Sequence, residues 1–155
     1  MTALHDTIRT RIDAAWADFL GSWSDLDDAD LTTSGVTGDW SVKDILAHVT
    51  TWEESTMSLS QVQIEGREPP KWNADGPWDL DTFNARASAE KADFSLDEVR
   101  TQLAETHDRL LAWLPTIPAQ HLAQGSDVED RLRGDTWDHY PEHAAAIRAW
   151  REAKA

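Results

Sequence analysis

Apolar residues recur at spacings of three and four along the first twenty-odd positions: Leu4, Ile8, Ile12, Trp16, Phe19 and Trp23, with Asp, Arg and Thr between them. That period gathers them on one face and predicts an amphipathic helix, roughly 30 Å long at about 1.5 Å per residue. The acidic stretch that follows is interrupted by Gly35 and Gly38, and its lack of period predicts a connection rather than a second helix. A fuller start signal comes next. Ser41 and Asp44 form a capping box, with Asp in place of the longer Glu, and Trp40 and Ile45 occupy the staple positions. A helix should therefore begin at about Val42 and run to about Gln63, with Ile45, Val49 and Trp52 as its stripe and His48 inside that stripe, facing the core. Glu53 and Glu54 should point further round.

Three prolines, two glycines and two tryptophans between Glu65 and Trp78 predict a long structured loop. Its Trp72 and Trp78 either pin the crossover to the rest of the protein or line a pocket. A third helix can start from Asp79 or Asp81 and continue to around Ala92, with Leu80, Phe83 and Ala87 on one side. Ser95 and Glu98 form a second capping box, flanked by Phe94 and Val99, which marks either a new helix start or a break in a longer helix. The stripe of Val99, Leu103, Thr106 or His107, Leu110 and Leu114 continues from it until Pro115 and Pro118 end the helix. Residues 119–135 carry no long period and predict a connection with one short turn. The last helix turns Tyr140, His143, Ile147 and Trp150 inward. Four principal helices with two long connections predict an all-α four-helix bundle, a single domain over residues 1–155, and bundles build metal sites from side chains on facing helices.

Composition narrows the chemistry. With no cysteine, a disulfide framework, a thiolate nucleophile and a cysteine zinc site are excluded, so a metal would have to be held by His, Asp or Glu. The 29 acidic against 14 basic residues give a formal charge of −15, which repels phosphate backbones and anionic headgroups and speaks against nucleic acid or membrane as a partner. A solvated acidic face that aids solubility accounts for most of that charge. No apolar run approaches the roughly 18 residues of a membrane span, and no basic-then-apolar leader opens the chain; a soluble, cytoplasmic protein is expected.

Attention then falls on the histidines. His139 and His143 are four apart in D-H-Y-P-E-H, so on a helix they share one face and can grip one ion. His48 supplies an inward imidazole from a different helix. Together they are what a three-histidine site with open positions needs, which is the arrangement of catalytic rather than purely structural metal. Pro141 is tolerated if it falls in the first turn of a helix starting at about Asp138, while a kink there would loosen the pair. H-Y-P-E-H also matches the H-x-x-E-H of one metalloprotease class. Such proteases are much larger and take a carboxylate ligand well downstream, whereas twelve residues follow His143, so that reading is set aside. Glu142 stays a candidate catalytic base, against a solvated glutamate on the helix face. His5, His107 and His121 have no partner at ligand spacing.

The pairing of W-S-V-K-D-I-L-A-H-V-T-T-W-E (Trp40 to Glu53) with D-H-Y-P-E-H-A-A-A-I-R-A-W (Asp138 to Trp150) resembles the DinB-like superfamily of metalloenzymes, particularly its branch near the colibactin self-resistance proteins. The long loop and the D-T-F-N at Asp81 to Asn84 extend the likeness over nearly the whole chain. The resemblance implies an up, up, down, down bundle, commonly a homodimer, and a divalent ion on His48, His139 and His143. It implies no DNA binding. For function it implies metal-dependent transferases and isomerases that use a low-molecular-weight thiol such as mycothiol or bacillithiol, or hydrolases that open electrophiles. The leading expectation is a Zn²⁺ or Ni²⁺ enzyme that adds a thiol to a small-molecule electrophile, with Glu142 or a loop residue moving the proton. The nine tryptophans support a second expectation, a module that sequesters a planar small molecule between aromatic walls. A bundle with vestigial histidines is the third.

Overall fold

A computed structural model describes residues 1–70 and 80–155, so the expectations for Trp72 and Trp78 lie outside the described residues. The elements are α1 (Ala3–Trp23), α2 (Asp28–Leu31), α3 (Val42–Ile64), α4 (Leu80–Lys91), α5 (Leu96–Trp113), α6 (Asp127–Asp135) and α7 (Tyr140–Lys154), with two 3-10 turns, Leu114–Thr116 and Ala119–Leu122, between α5 and α6. The four long helices α1, α3, α5 and α7 are the predicted bundle. α1 lies against α7, and α3 packs on α5 and α6. Their apolar faces close on one core in which Ile12, Phe19, Ile45, Val49, Leu110 and Ile147 have no solvent exposure.

The capping boxes at Ser41 and Ser95 are both formed, each side chain accepting from the backbone N–H three residues on while the acidic side chain there accepts from the cap's own N–H. Before α3 the chain makes a tight turn in which the Trp40 N–H donates to the Thr37 carbonyl (3.0 Å). Gly38 sits at φ +57, a conformation that a side chain would disfavour, and the turn delivers Trp40 to the start of α3. His5 has a structural task. Its Nδ1 accepts from the Thr2 N–H (3.1 Å) to cap α1, which leaves Nε2 to donate to the Ile117 carbonyl (2.8 Å).

Three expectations change. The acidic connection after α1 contains the one-turn α2, started by the Asp27 side chain accepting from Asp30 N–H (2.8 Å). Residues 119–135, expected as a connection, include the nine-residue α6. Its two buried apolar residues, Val128 and Leu132, are too few to register as a period among so many charges. The stripe of α4 does not enter the core: no residue of α4 is buried, and Leu80 is 49% exposed. α4 rides instead on Trp52 of α3, whose Nε1 donates to Asn84 Oδ1 (3.0 Å) and whose ring meets Phe83 at 5.1 Å. Among the described residues no helix is long and apolar enough to cross a membrane.

Candidate metal centre

His48 projects from α3, His143 from the first turn and a half of α7, and His139 stands at the residue before α7 begins. The turn between α6 and α7 aims the last two. Both the His139 and Tyr140 N–H groups donate to the Thr136 carbonyl, each at 2.9 Å, and the Asp138 N–H returns to Arg133 O (3.1 Å). Pro141 falls inside the first turn of α7, where its missing N–H would have had no intrahelical acceptor, so the helix begins two residues later than expected without needing a kink.

The three imidazoles meet through their Nε2 atoms. His139 Nε2 lies 3.1 Å from that of His48 and 2.9 Å from that of His143, and the three residues form a group whose ligand atoms all lie within 4.8 Å of one another. Two nitrogens bonded to one ion at about 2.1 Å lie about 3.0 Å apart at right angles and about 3.4 Å apart in a tetrahedron. The donor set therefore fits a divalent cation. Its electrostatics fit too. Burial, reinforced by the neighbouring imidazoles, holds His48 far below its ordinary 6.5 and His143 at about 3. Burial also lowers His139, to about 4, against an opposing pull from the Asp135 backbone. His139 Nδ1 is buried and faces that carbonyl without reaching full hydrogen-bond geometry. A proton on Nδ1 leaves the Nε2 lone pair directed at the other two rings.

These depressed values have a stability consequence. Below pH 6.5 the unfolded chain takes up protons that the folded, metal-free protein refuses, so the contribution of the triad is present above that pH and is lost as pH falls toward 3 to 4. Metal-free protein should lose on the order of 1 kcal/mol per imidazole between pH 7.5 and 5.5. Urea unfolding at the two pH values checks this: a triple His→Gln variant should show a shallower decline, and equal declines would contradict the burial of neutral imidazoles.

The triad shares a cavity of about 280 Å³ with Trp52, Asn84, Asp135 and Glu142. The Trp40 ring covers His48 from 4.9 Å. Glu142 is solvent-exposed at this cavity, close enough to serve a ligand there. Asp135 is half-buried; burial pushes its carboxyl up to about 7, while the Thr56 hydroxyl and the Arg131 charge pull it back. His48 is half-buried at the cavity edge rather than deep in the core.

A second polar group underlies the first. Glu53, expected to point away, has no exposure at all. Its Oε1 accepts from the Tyr140 hydroxyl (2.5 Å) and is 2.9 Å from His107 Nδ1, and His107 stacks on Trp16 with ring centroids 3.6 Å apart. Burial, and then the Glu53 charge, raise the Tyr140 hydroxyl well above its ordinary 10, so it remains a proton donor. Tyr140 adjoins His139, and this bond pins the start of α7 to α3. Neither partner is near Glu53 in the sequence, and the local signal for its burial is its place four residues after Val49 of the apolar stripe. His121 stands apart from the triad, on a neighbouring groove.

A long-helix bundle with a three-histidine cluster between its second and last long helices is the architecture of one class of protein, and the comparison of sequences agrees: the DinB superfamily profile matches residues 11–140, and the chain belongs to that superfamily. No curated protein matches the sequence. Among solved structures, one titled "Sibling Lethal Factor Precursor - DfsB" shares the fold with a TM-score of 0.79 at 20% identity, over 99% of this chain and 98% of that one.

Proposed function

We propose that this protein is a metal-dependent enzyme that joins a low-molecular-weight thiol, of the mycothiol or bacillithiol kind, to a small electrophile. The meeting of three Nε2 atoms at 2.9 and 3.1 Å beside an accessible cavity carries the reading. His48, His139 and His143 would hold Zn²⁺ or Ni²⁺, and such a cation lowers the pKa of a thiol or water beside it so that a nucleophile exists near neutral pH. The imidazoles are already neutral and need shed no proton to ligate. Glu142, facing the cavity from solvent, takes the proton released by the nucleophile and passes it to water. Trp52 gives the electrophile an apolar wall. The reading includes a homodimer that works on small molecules, and the −15 charge supports the absence of nucleic acid and membrane partners.

A second reading, sequestration of an aromatic molecule, is favoured by Trp40 and Trp52 flanking His48, at ring-centroid distances of 4.9 and 6.3 Å. Turnover separates the two. Metal-loaded protein given 1-chloro-2,4-dinitrobenzene and a thiol should convert many equivalents, and only with both metal and thiol present. Conversion without thiol points to hydrolysis, and retention at one equivalent without product overturns the enzyme reading.

A further inference from the structure

We propose that the groove between α3 and α6 holds the remote part of the substrate, and that Arg131 binds a carboxylate on it. The proposal deepens the reading above, since the groove opens onto the same centre. Trp52 and Asp135 line both the cavity of the triad and this larger groove of about 960 Å³. On α3 its wall is Trp52, Ser55, Leu59 and Gln63, a recurrence of three and four that extends for about 16 Å at 1.5 Å per residue. Val128 and Arg131 of α6 face it.

Arg131 is half-buried. Its Nη1 donates to Ser60 Oγ (3.2 Å) and to Gln63 Oε1, both neutral, and among the described residues no carboxylate lies within ion-pairing distance of it. The other arginine of the groove, Arg67, is paired with Glu65. Asp135, four residues on along α6, feels the Arg131 charge but forms no ion pair with it, and a half-buried guanidinium without a direct ion pair is costly unless a ligand supplies one.

The groove also holds acids. Glu68 is exposed at its rim, Asp127 accepts from Gln63 Nε2 (3.4 Å) in the first turn of α6, and Asp135 sits at the junction with the triad. None of them closes on Arg131. Because Nη1 is occupied, the Nε and Nη2 edge of the guanidinium remains for a ligand, and that flat pair of donors matches the two oxygens of a carboxylate. The single charge of a carboxylate also suits an acidic protein better than a dianionic phosphate does.

Ser60 and Gln63 lie eight and eleven residues past Trp52, about 12 to 16 Å along α3. The substrate is therefore elongated, with its reactive atom at the triad, an apolar middle against Trp52, Leu59 and Val128, and a carboxylate more than 10 Å away, on the order of two to three helical turns.

The test uses the full chain as purified, with its metal content measured, and titrates decanoate against the neutral decanamide by tryptophan fluorescence and calorimetry. Decanoate should bind at least tenfold more tightly. Arg131→Gln should abolish that preference while leaving decanamide affinity unchanged, and Arg67→Gln should preserve it. Equal affinity for the two probes in the unmodified protein overturns the proposal even if Arg131→Gln fails to fold, and so does a preference that survives in Arg131→Gln. A tenfold preference in protein that takes up no zinc keeps the subsite and removes the metal reading; zinc uptake with no preference does the reverse.

Discussion

Replacing His139 with alanine is expected to remove metal binding almost completely. His139 is the middle of the cluster, at 3.1 Å from one partner and 2.9 Å from the other, so its loss leaves His48 and His143 without the nitrogen that both approach. Loss of an outer hydrogen-bonding partner alone weakens a metal site by about 10–100-fold, and deletion of a ligand should reach at least the upper end of that range. The unmodified protein, equilibrated with Zn²⁺ or Ni²⁺ and desalted, should retain one equivalent per chain by elemental analysis, and His139→Ala little. Absence of metal from the unmodified protein would remove the basis of the proposed chemistry. Glu142→Gln is the matching control: the proposal gives Glu142 a proton to carry and no place among the three ligands, so this change should leave metal content unchanged.

The second large effect is expected at Glu53. Alanine there deprives the Tyr140 hydroxyl and His107 Nδ1 of their shared acceptor inside the core, at about 1–3 kcal/mol for each stranded group, and opens a cavity besides. A total of roughly 3–5 kcal/mol should lower the thermal midpoint by about 10 °C for a chain of this size. Glu53→Gln retains an oxygen acceptor and should cost less than half as much. Because Tyr140 adjoins His139, Tyr140→Phe should also weaken metal binding by about tenfold, as other indirect supports do. A Glu53→Ala protein that melts within about 2 °C of the unmodified one would show that the buried network contributes little.

These two sites differ in how far they could be read ahead of the structure. The start of α3 was readable because Ser41, Asp44, Trp40 and Ile45 are local, and the spacing rule then placed His48 on the correct face. His139 and His143 follow from their separation of four, and Pro141 is tolerated in the first turn of α7. Glu53 departs from expectation: a charged residue ordinarily lies in water, and its partners come from 54 and 87 positions away. α6 carries little pattern because Val128 and Leu132 are its only buried apolar residues, and it owes its stability to α3 rather than to its own period. Arg131 carries no local signal, since the lack of a direct ion pair is visible only when the surroundings of a side chain are known.

The distance along the chain between the first imidazole and the other two also bears on when the site can come into being. His48 and His139 are 91 residues apart, and α7, which carries His143, rests on α1 near the opposite end of the sequence. During synthesis a growing chain presents one imidazole of the triad, His48, and acquires the other two together only after a further 91 residues. A partial chain thus has little with which to hold a cation. Closure of α7 against α1 is then the event that assembles the centre, so that capture of the ion would report completion of the bundle rather than direct its early folding.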